Sequence, residues 1–178
     1  AVRDAFAQFL ARVTPNGTIV AGGDNATVAR LLAEREAGGA SVVTYGRGAG
    51  NDYRVHSVEP TAAGGIAFRV THRGEPWGAY TLVLPGAHNA LNATAALVAA
   101  ELLGADRCEA AKVLSEFRGV LRRFEVKGEC GGVTIIDDYA HHPTEIRATL
   151  AAARGRYDGR RIWAVWQPHT YSRVEALL

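Results

Sequence analysis

Apolar positions in the first quarter of the chain recur at helical spacing in two segments, with short apolar runs between them. The spacing predicts an opening helix whose apolar face carries Val2, Phe6, Phe9, Leu10 and Val13. An apolar run over 18–21 predicts a strand, residues 25–34 predict a second helix, and 41–45 predict another buried strand. Because strand, helix and strand alternate, this region is predicted to form a parallel α/β layer.

The period then changes to that of strands. Polar and apolar residues alternate over 52–59, 65–72 and 76–84, and Arg73 and Gly74 separate the last two segments as a turn. These segments predict an antiparallel meander on the edge of the α/β layer. The predicted fold class is therefore α/β with an antiparallel edge.

Helical spacing returns after Pro85 and Gly86, where a long helix is predicted, followed by another over 108–117. From Gly119 onward the pattern predicts strands at 123–128 and 133–136, a helix at 143–154, and a strand at 162–166. We therefore expect two domains, residues 1–119 and residues 120–178.

Composition narrows the possible classes of protein. The formal net charge of +2 over 178 residues, without a basic stripe, argues against nucleic acid as a partner. Cys108 and Cys130 form no CxxC pair, which fits a reducing compartment. No apolar run approaches the length that spans a bilayer, so we expect a cytoplasmic protein with no membrane partner. Both ends lie within helical patterns, and the chain is expected to be an excerpt of a longer protein.

The first candidate site lies at the start of the long helix. Asn89 and Asn92 are three residues apart, so both project from one face. An amide offers a donor beside an acceptor, which matches the hydrogen-bonding edge of adenine. The alternative is structural: Asn89 caps the helix and Asn92 satisfies a buried carbonyl.

The second candidate is the pair Arg122 and Arg123, just after the predicted domain boundary. A guanidinium fork suits a phosphate across a crevice. Since side chains alternate along a strand, only one of the two is expected to face that crevice. The alternative is a solvated edge strand.

The densest constellation follows the strand at 133–136, where two carboxylates, an aromatic ring and two histidines precede a predicted helix: Asp137, Asp138, Tyr139, His141 and His142. Ligands of open α/β sheets bind beyond the carboxyl ends of strands, and helix N-termini favour anions. Since side chains alternate along a strand, Asp137 and Asp138 are expected to point to opposite faces, one towards the crevice and the other towards the fold or the helix start. Two alternatives remain: the aspartates cap the helix, or the histidine pair binds a metal.

A second polar strand end, from Trp166 to Arg173, includes His169.

Four segments of the chain, in order, are GAHNALNATAA, RRFEVKG, DDYAHHPTEI and QPHTYSR. Together they resemble motifs of the Mur ligases at similar separations. The resemblance implies the latter part of a central ATPase domain, then the start of a Rossmann-like C-terminal domain. It implies ATP and magnesium as cofactors, with the phosphate loop and the magnesium ligands upstream of Ala1. Ligase turnover by these 178 residues alone is not expected.

The resemblance also implies roles for individual residues. The cofactor-binding group would be His88, Asn89 and Asn92 around adenine, and Asp138 at the ribose hydroxyls. Arg123, at the nucleotide phosphates, and His141 would act in catalysis. The substrate-binding group would be Tyr139, His142, His169 and Arg173. Thr170 stands where a second arginine is often found, which weakens a two-arginine clamp on the substrate carboxylate.

Within the family the motifs point to the members that add L-alanine to UDP-N-acetylmuramate, so these two small molecules are the expected substrates. Two other functions remain open. One is the recycling ligase that joins a tripeptide to the same nucleotide sugar. The other is a nucleotide-binding module without catalysis.

Overall fold

The structure is a computed structural model that describes residues 2–35, 39–168 and 175. In the first two-thirds of the chain the helices are α1 Val2–Ala11, α2 Ala26–Ala33, α3 Ala87–Leu102 and α4 Arg107–Glu116. The strands there are β1 Thr18–Gly22, β2 Ser41–Gly46, β3 Tyr53–Pro60, β4 Ile66–His72 and β5 Glu75–Leu82. The remainder contains β6 Glu125–Cys130, β7 Val133–Asp137 and α5 Pro143–Arg156. No helix among the described residues is long and apolar enough to cross a membrane.

Strands β1 to β5 form one sheet in sequence order. The pairs β1–β2 and β2–β3 are parallel, whereas β3–β4 and β4–β5 are antiparallel. The predicted α/β class with an antiparallel edge meander is thereby confirmed, and Arg73 and Gly74 form the predicted two-residue turn between β4 and β5.

The main core lies between one face of this sheet and α3. Its most deeply buried side chains include Val55, Phe68 and Val70 from the sheet and Leu97 and Val98 from the helix. Alternation along β3 and β4 sends every second residue into this core. The residues between them therefore lie on the opposite face of the sheet, which is more polar.

The second half of the structure is smaller. Strands β6 and β7 form an antiparallel pair, and α5 follows. Phe124, Ala152 and Ala153 form a separate buried cluster there. The small side chains of α5 let it approach the start of α3 closely. Gly86 has φ +97, and a Cβ at this position would lie 2.9 Å from the Cβ of Ala152.

Two sequence predictions for this half are wrong in their details. Strand β6 begins at Glu125 rather than at Arg123, because Arg122 and Phe124 adopt left-handed backbone conformations that a strand cannot contain. Residues 161–168 form neither helix nor strand, although a strand was predicted over 162–166. An apolar run becomes a strand only where a neighbouring strand pairs with its backbone, and Val165 is 98% exposed.

The core predicts a clear contrast between two leucines of the same helix region. Leu97→Ala is expected to lower the free energy of unfolding by about 2–5 kcal/mol, because the buried side chain leaves a cavity. Leu103→Ala is expected to change it by less than about 0.5 kcal/mol, because that side chain lies in solvent. Urea unfolding of both variants measures the difference, and equal losses would contradict the assigned core.

Candidate functional site

Helix α3 begins without a side-chain cap. Its N-cap residue is Gly86, whose φ of +97 suits glycine and which has no side chain to accept a hydrogen bond from the first turn. Unsatisfied N–H groups at a helix start carry partial positive charge and favour a bound anion. His88, one residue into the helix, therefore lies at an electropositive helix end.

The two asparagines of α3 are joined to each other. Asn89 donates from Nδ2 to the carbonyl oxygen of Pro85 at 2.7 Å, and Asn92 donates from Nδ2 to Oδ1 of Asn89 at 3.4 Å. The structural alternative fails for Asn92, whose side chain is exposed rather than bonded to a buried carbonyl. Asn89 does satisfy a carbonyl, but Gly86, not Asn89, caps the helix.

Residues 122–124 form a tightly bonded loop before β6. Arg122 and Phe124 have φ values of +59 and +51, which are unfavourable for residues with a Cβ. Three hydrogen bonds of 2.8 Å hold the loop: Arg122 N–H to Glu125 Oε2, Tyr139 N–H to Arg122 O, and Phe124 N–H to Asp138 Oδ2. Because the arginines precede the strand, strand alternation does not decide which of them faces the crevice.

The two aspartates have different partners. Asp138 accepts the Phe124 N–H on one oxygen and the Ala140 N–H on the other, each at 2.8 Å. The Asp137 carboxylate forms only an ion pair in the described part of the chain, with 3.4 Å between its Oδ2 and Arg122 Nε. The backbone bonds that hold the local fold therefore belong to Asp138 and not to Asp137, for which the folding role was expected.

The histidine pair lies at the start of α5. His142 is the N-cap residue, and its Nδ1 accepts from Thr144 N–H at 3.2 Å. Glu145 completes the capping box, accepting from the N–H groups of His141 at 3.2 Å and His142 at 3.3 Å. The His141 ring lies 5.3 Å from the Tyr139 ring, edge to face, with its Nδ1 3.0 Å from the Tyr139 carbonyl oxygen.

Electrostatic effects connect the starts of α3 and α5 through Arg123. Burial lowers the pKa of His88; the Asp138 carboxylate opposes this and the Arg123 guanidinium reinforces it. Burial alone would raise the pKa of Glu145, but the two histidine N–H bonds and the charges of His141 and Arg123 bring it below its usual value. The Arg123 guanidinium thus acts electrostatically on a group at each of the two helix starts.

The structure thus brings together most of the residues selected from the sequence. The charges of Arg123 and Asp138 both act on His88, and the Tyr139–His142 turn directly follows Asp138 in the chain. His169 and Arg173, together with Thr170, lie outside the described residues. Sequence reasoning missed Glu145, although a glutamate three residues after a helix N-cap is a recognisable capping signal.

The metal alternative at the histidine pair is not supported. No three His, Cys, Asp or Glu side chains converge anywhere in residues 2–35, 39–168 and 175. The site offers an uncapped helix start, a guanidinium, an imidazole and amide groups, which together suit a ligand with anionic and polar parts.

The fold and the site define an α/β protein with an anion-attracting site where two helices begin. Residues 1–100 match the family model described as the Mur ligase middle domain, and residues 122–178 match the one described as Mur ligase, glutamate ligase domain. The chain belongs to the Mur ligase family.

Curated relatives in this family align along nearly all of the chain. The UDP-N-acetylmuramate–L-alanine ligase of Alkaliphilus metalliredigens is 40% identical over 177 residues, 99% of this chain and 38% of the relative. The ligase of the same name from Oleidesulfovibrio alaskensis is 48% identical over 179 residues, again 99% and 38%. The chain therefore spans 38% of the length of these relatives.

Solved structures show the same fold. The UDP-N-acetylmuramate–alanine ligase of Thermotoga maritima is 30% identical with a TM-score of 0.67, covering 80% of this chain and 31% of that one. The murein peptide ligase of Psychrobacter arcticus is 25% identical with a TM-score of 0.64, and the match covers 95% of this chain and 35% of that one.

The two aspartates are predicted to differ in their effect on stability. Asp138→Asn replaces one of the two carboxylate oxygens with an amide nitrogen, so one of the two backbone N–H groups loses its acceptor. The substitution is expected to lower the free energy of unfolding by about 1–3 kcal/mol. Asp137→Asn loses only a partly exposed ion pair and is expected to lower it by about 0–1 kcal/mol. Chemical denaturation of the two variants measures this. A larger loss at Asp137 would show that the bonds of Asp138 are dispensable.

A pH dependence is predicted for Glu145. Its pKa is lower in the folded chain than its usual value of 4.5, so the carboxylate stabilises the fold above that pH. This contribution is lost as the pH falls through the lower folded-state pKa. The difference in unfolding free energy between the unchanged chain and Glu145→Gln is therefore expected to be largest near about pH 7 and to shrink towards about pH 3. Glu116→Gln, at the exposed end of α4, serves as the control; a parallel response in both variants would refute the assignment.

Proposed function

We propose that this chain forms the nucleotide- and amino-acid-facing part of an ATP-dependent ligase that joins L-alanine to UDP-N-acetylmuramate. The observation that carries the proposal is that the start of α3 lies against α5, where the charges of Arg123 and Asp138 act on His88 and the Tyr139–His142 turn leads into α5. The relatives named for this activity align with 99% of the chain, which supports the same conclusion.

In this proposal, the terminal phosphoryl group of ATP passes to the muramate carboxylate with release of ADP. The alanine amine then attacks the resulting acyl phosphate, the amide bond forms, and phosphate leaves. Both steps develop negative charge on phosphoryl or acyl oxygens. A guanidinium and an uncapped helix start stabilise such charge, and Arg123 and the start of α3 provide them.

Asn89 and Asn92 are proposed to bind the adenine ring. The Asn92 side chain is exposed, and its Nδ2 contact with Asn89 is long at 3.4 Å, so a planar ligand can displace it at small cost. The Asn89 amide is held in place by its 2.7 Å bond to Pro85. The Asn89 amide is therefore preoriented, and the Asn92 amide is available to bind a ligand.

Asp138 is proposed to accept the ribose hydroxyls in addition to its backbone bonds. An ionised carboxylate has about four lone-pair sites on two oxygens. The Phe124 and Ala140 N–H groups occupy one site on each oxygen, which leaves acceptor capacity on both. The backbone bonds then fix the direction in which the carboxylate presents that capacity.

The substrate side is proposed to be formed by Tyr139, His141 and His142, joined by His169 and Arg173.

We also propose that the two domains meet near Gly119, as residues 1–119 and 120–178. The separation of the five-stranded sheet from the β6–β7 pair supports this boundary.

A second candidate is the recycling ligase that accepts a tripeptide. It is supported by the likeness to the murein peptide ligase of Psychrobacter arcticus, which extends over 95% of this chain. Competition between L-alanine and the tripeptide in a full-length ligase carrying this sequence separates the two functions. Preferential use of the tripeptide would replace the first proposal.

The adenine contact gives the sharpest test of nucleotide binding. In a full-length ligase carrying this sequence, Asn92→Ala is expected to raise the KM for ATP about ten- to a hundredfold, because an amide partner worth about 1–3 kcal/mol is lost. The KM for alanine is expected to stay unchanged.

Asn16→Ala, which removes an exposed amide on the turn before β1, serves as the control and is expected to leave both constants unaltered. Unchanged ATP kinetics in Asn92→Ala would remove this residue from the nucleotide site.

A further inference from the structure

A basic cavity lies on the face of the sheet opposite α3. Val55 and Val70 point into the core beneath α3, so their neighbours Arg54 and Thr71 face the other way. A cavity of about 360 Å³ opens on that side, between the loop after β2 and the β4–β5 turn. Its lining includes Asn51, Arg54, His56, Thr71, Arg73 and Gly74.

Three side chains of the cavity can carry a positive charge, and each is held by the ring or guanidinium nitrogen nearest its own backbone. Arg54 donates from Nε to the Arg47 carbonyl oxygen at 3.2 Å, and Arg73 donates from Nε to Asp52 Oδ1 at 3.3 Å. His56 contacts Ser57 Oγ through Nδ1 at 3.1 Å. The outer Nη atoms and Nε2 make no hydrogen bond within the described part of the chain. These outer nitrogens are the ones that bind a forked anion.

Arg73 occupies a position that normally favours other residues. It forms a two-residue turn with Gly74, with φ values of +51 and +94 and with His72 paired to Glu75. These dihedrals are those of a type I′ turn, in which asparagine or glycine is preferred at the first position. Arginine is conformationally unfavourable there, and such strain in a fold is a reason to look for a function of the side chain.

Asp52 holds this arginine in place. Its carbonyl oxygen accepts the Arg73 N–H at 2.8 Å, while its Oδ2 accepts the Thr44 N–H at 2.9 Å and the Thr44 hydroxyl at 3.0 Å. Burial alone would raise the pKa of Asp52, but the Thr44 bonds and the Arg73 guanidinium bring it below its usual value. Asp52 is thus an ionised carboxylate that Thr44 holds in position to bind Arg73.

Charge in this region favours an anion. Arg69 lies opposite His56 in the β3–β4 pairing and adds a third guanidinium to the same face. The carboxylate of Asp24 accepts the N–H groups of Arg47 and Gly48, at 2.6 and 2.9 Å, and thereby closes the loop beside the cavity. Both supporting carboxylates are therefore engaged with the protein, and the positive groups predominate at the cavity.

We propose that this cavity binds the phosphate group of a small phosphorylated molecule, at a site separate from the start of α3. Two guanidinium forks and an imidazole match the oxygens of a phosphate better than those of a single carboxylate. The volume lies at the lower end of the range for small-molecule sites, which fits a compact ligand.

The test uses the whole 178-residue chain and titrates it with inorganic pyrophosphate and, separately, with glycerol 3-phosphate. Backbone amide resonances are followed by NMR at fixed ionic strength. Saturable shifts are expected at residues 51–56 and 71–74. A stronger response to pyrophosphate identifies a free inorganic anion as the ligand type, and a stronger response to the ester identifies a phosphorylated metabolite.

Arg73→Asn is the decisive variant because asparagine suits the type I′ turn and keeps the hairpin intact. Its thermal stability is expected to equal or exceed that of the unchanged chain, while its affinity for the better probe falls about tenfold or more. Arg30→Gln, an exposed charge change on α2, is expected to leave affinity within about twofold.

Shifts confined to the starts of α3 and α5 would overturn the proposal, as would equal losses in Arg73→Asn and Arg30→Gln, which would indicate attraction by net charge alone. Absence of any saturable shift would overturn it as well. Since none of these variants touches Asn92, Arg123 or Asp138, the outcome is independent of the proposed ligase function.

Discussion

The carboxylate of Asp138 accepts one backbone N–H on each oxygen, from Phe124 and from Ala140. Through these bonds the end of β7 holds the loop that precedes β6. Left-handed backbone at a residue with a Cβ costs about 1–3 kcal/mol and persists only where other bonds fix it. The Phe124 ring is buried against Ala152 and Ala153 of α5, so the same carboxylate also influences where α5 lies. The position of Arg123, between Arg122 and Phe124, follows from this constraint.

Much of the first half of the fold was predictable because its signals are local. Periodicity identified α3 and the meander, and Arg73 with Gly74 marked the turn that the structure contains. The chemistry of the candidate site was also local in the sequence, since His141 and His142 precede a helix that proline begins. Patterns of this kind carry over to structure because side-chain alternation and helix capping depend on residues only a few positions apart.

The parts that could not be predicted depend on distant contacts. Nothing near Phe124 in the sequence indicates a left-handed residue, since its support comes from Asp138, fourteen residues later. The close approach of Gly86 to Ala152 joins positions that are far apart in the chain, so it has no local signal. The folding role was expected at Asp137 rather than Asp138 for the same reason, because strand alternation treats the strand in isolation. Whether the run at 162–166 pairs as a strand likewise depends on a neighbour and not on its own composition.

The two helix starts at the site are not equivalent, and the difference bears on where an anion binds. The first N–H groups of α5 meet the His142 imidazole, and Glu145 adds a negative charge beside them. That helix start is therefore already satisfied. At α3, Gly86 offers no side-chain acceptor, and burial lowers the pKa of His88, an effect that the positive charge of Arg123 reinforces. An incoming phosphate gains a charge-assisted partner and open helix N–H groups at α3, whereas at α5 it would compete with the capping box. The physical asymmetry thus favours an anion at the start of α3 over one at the start of α5.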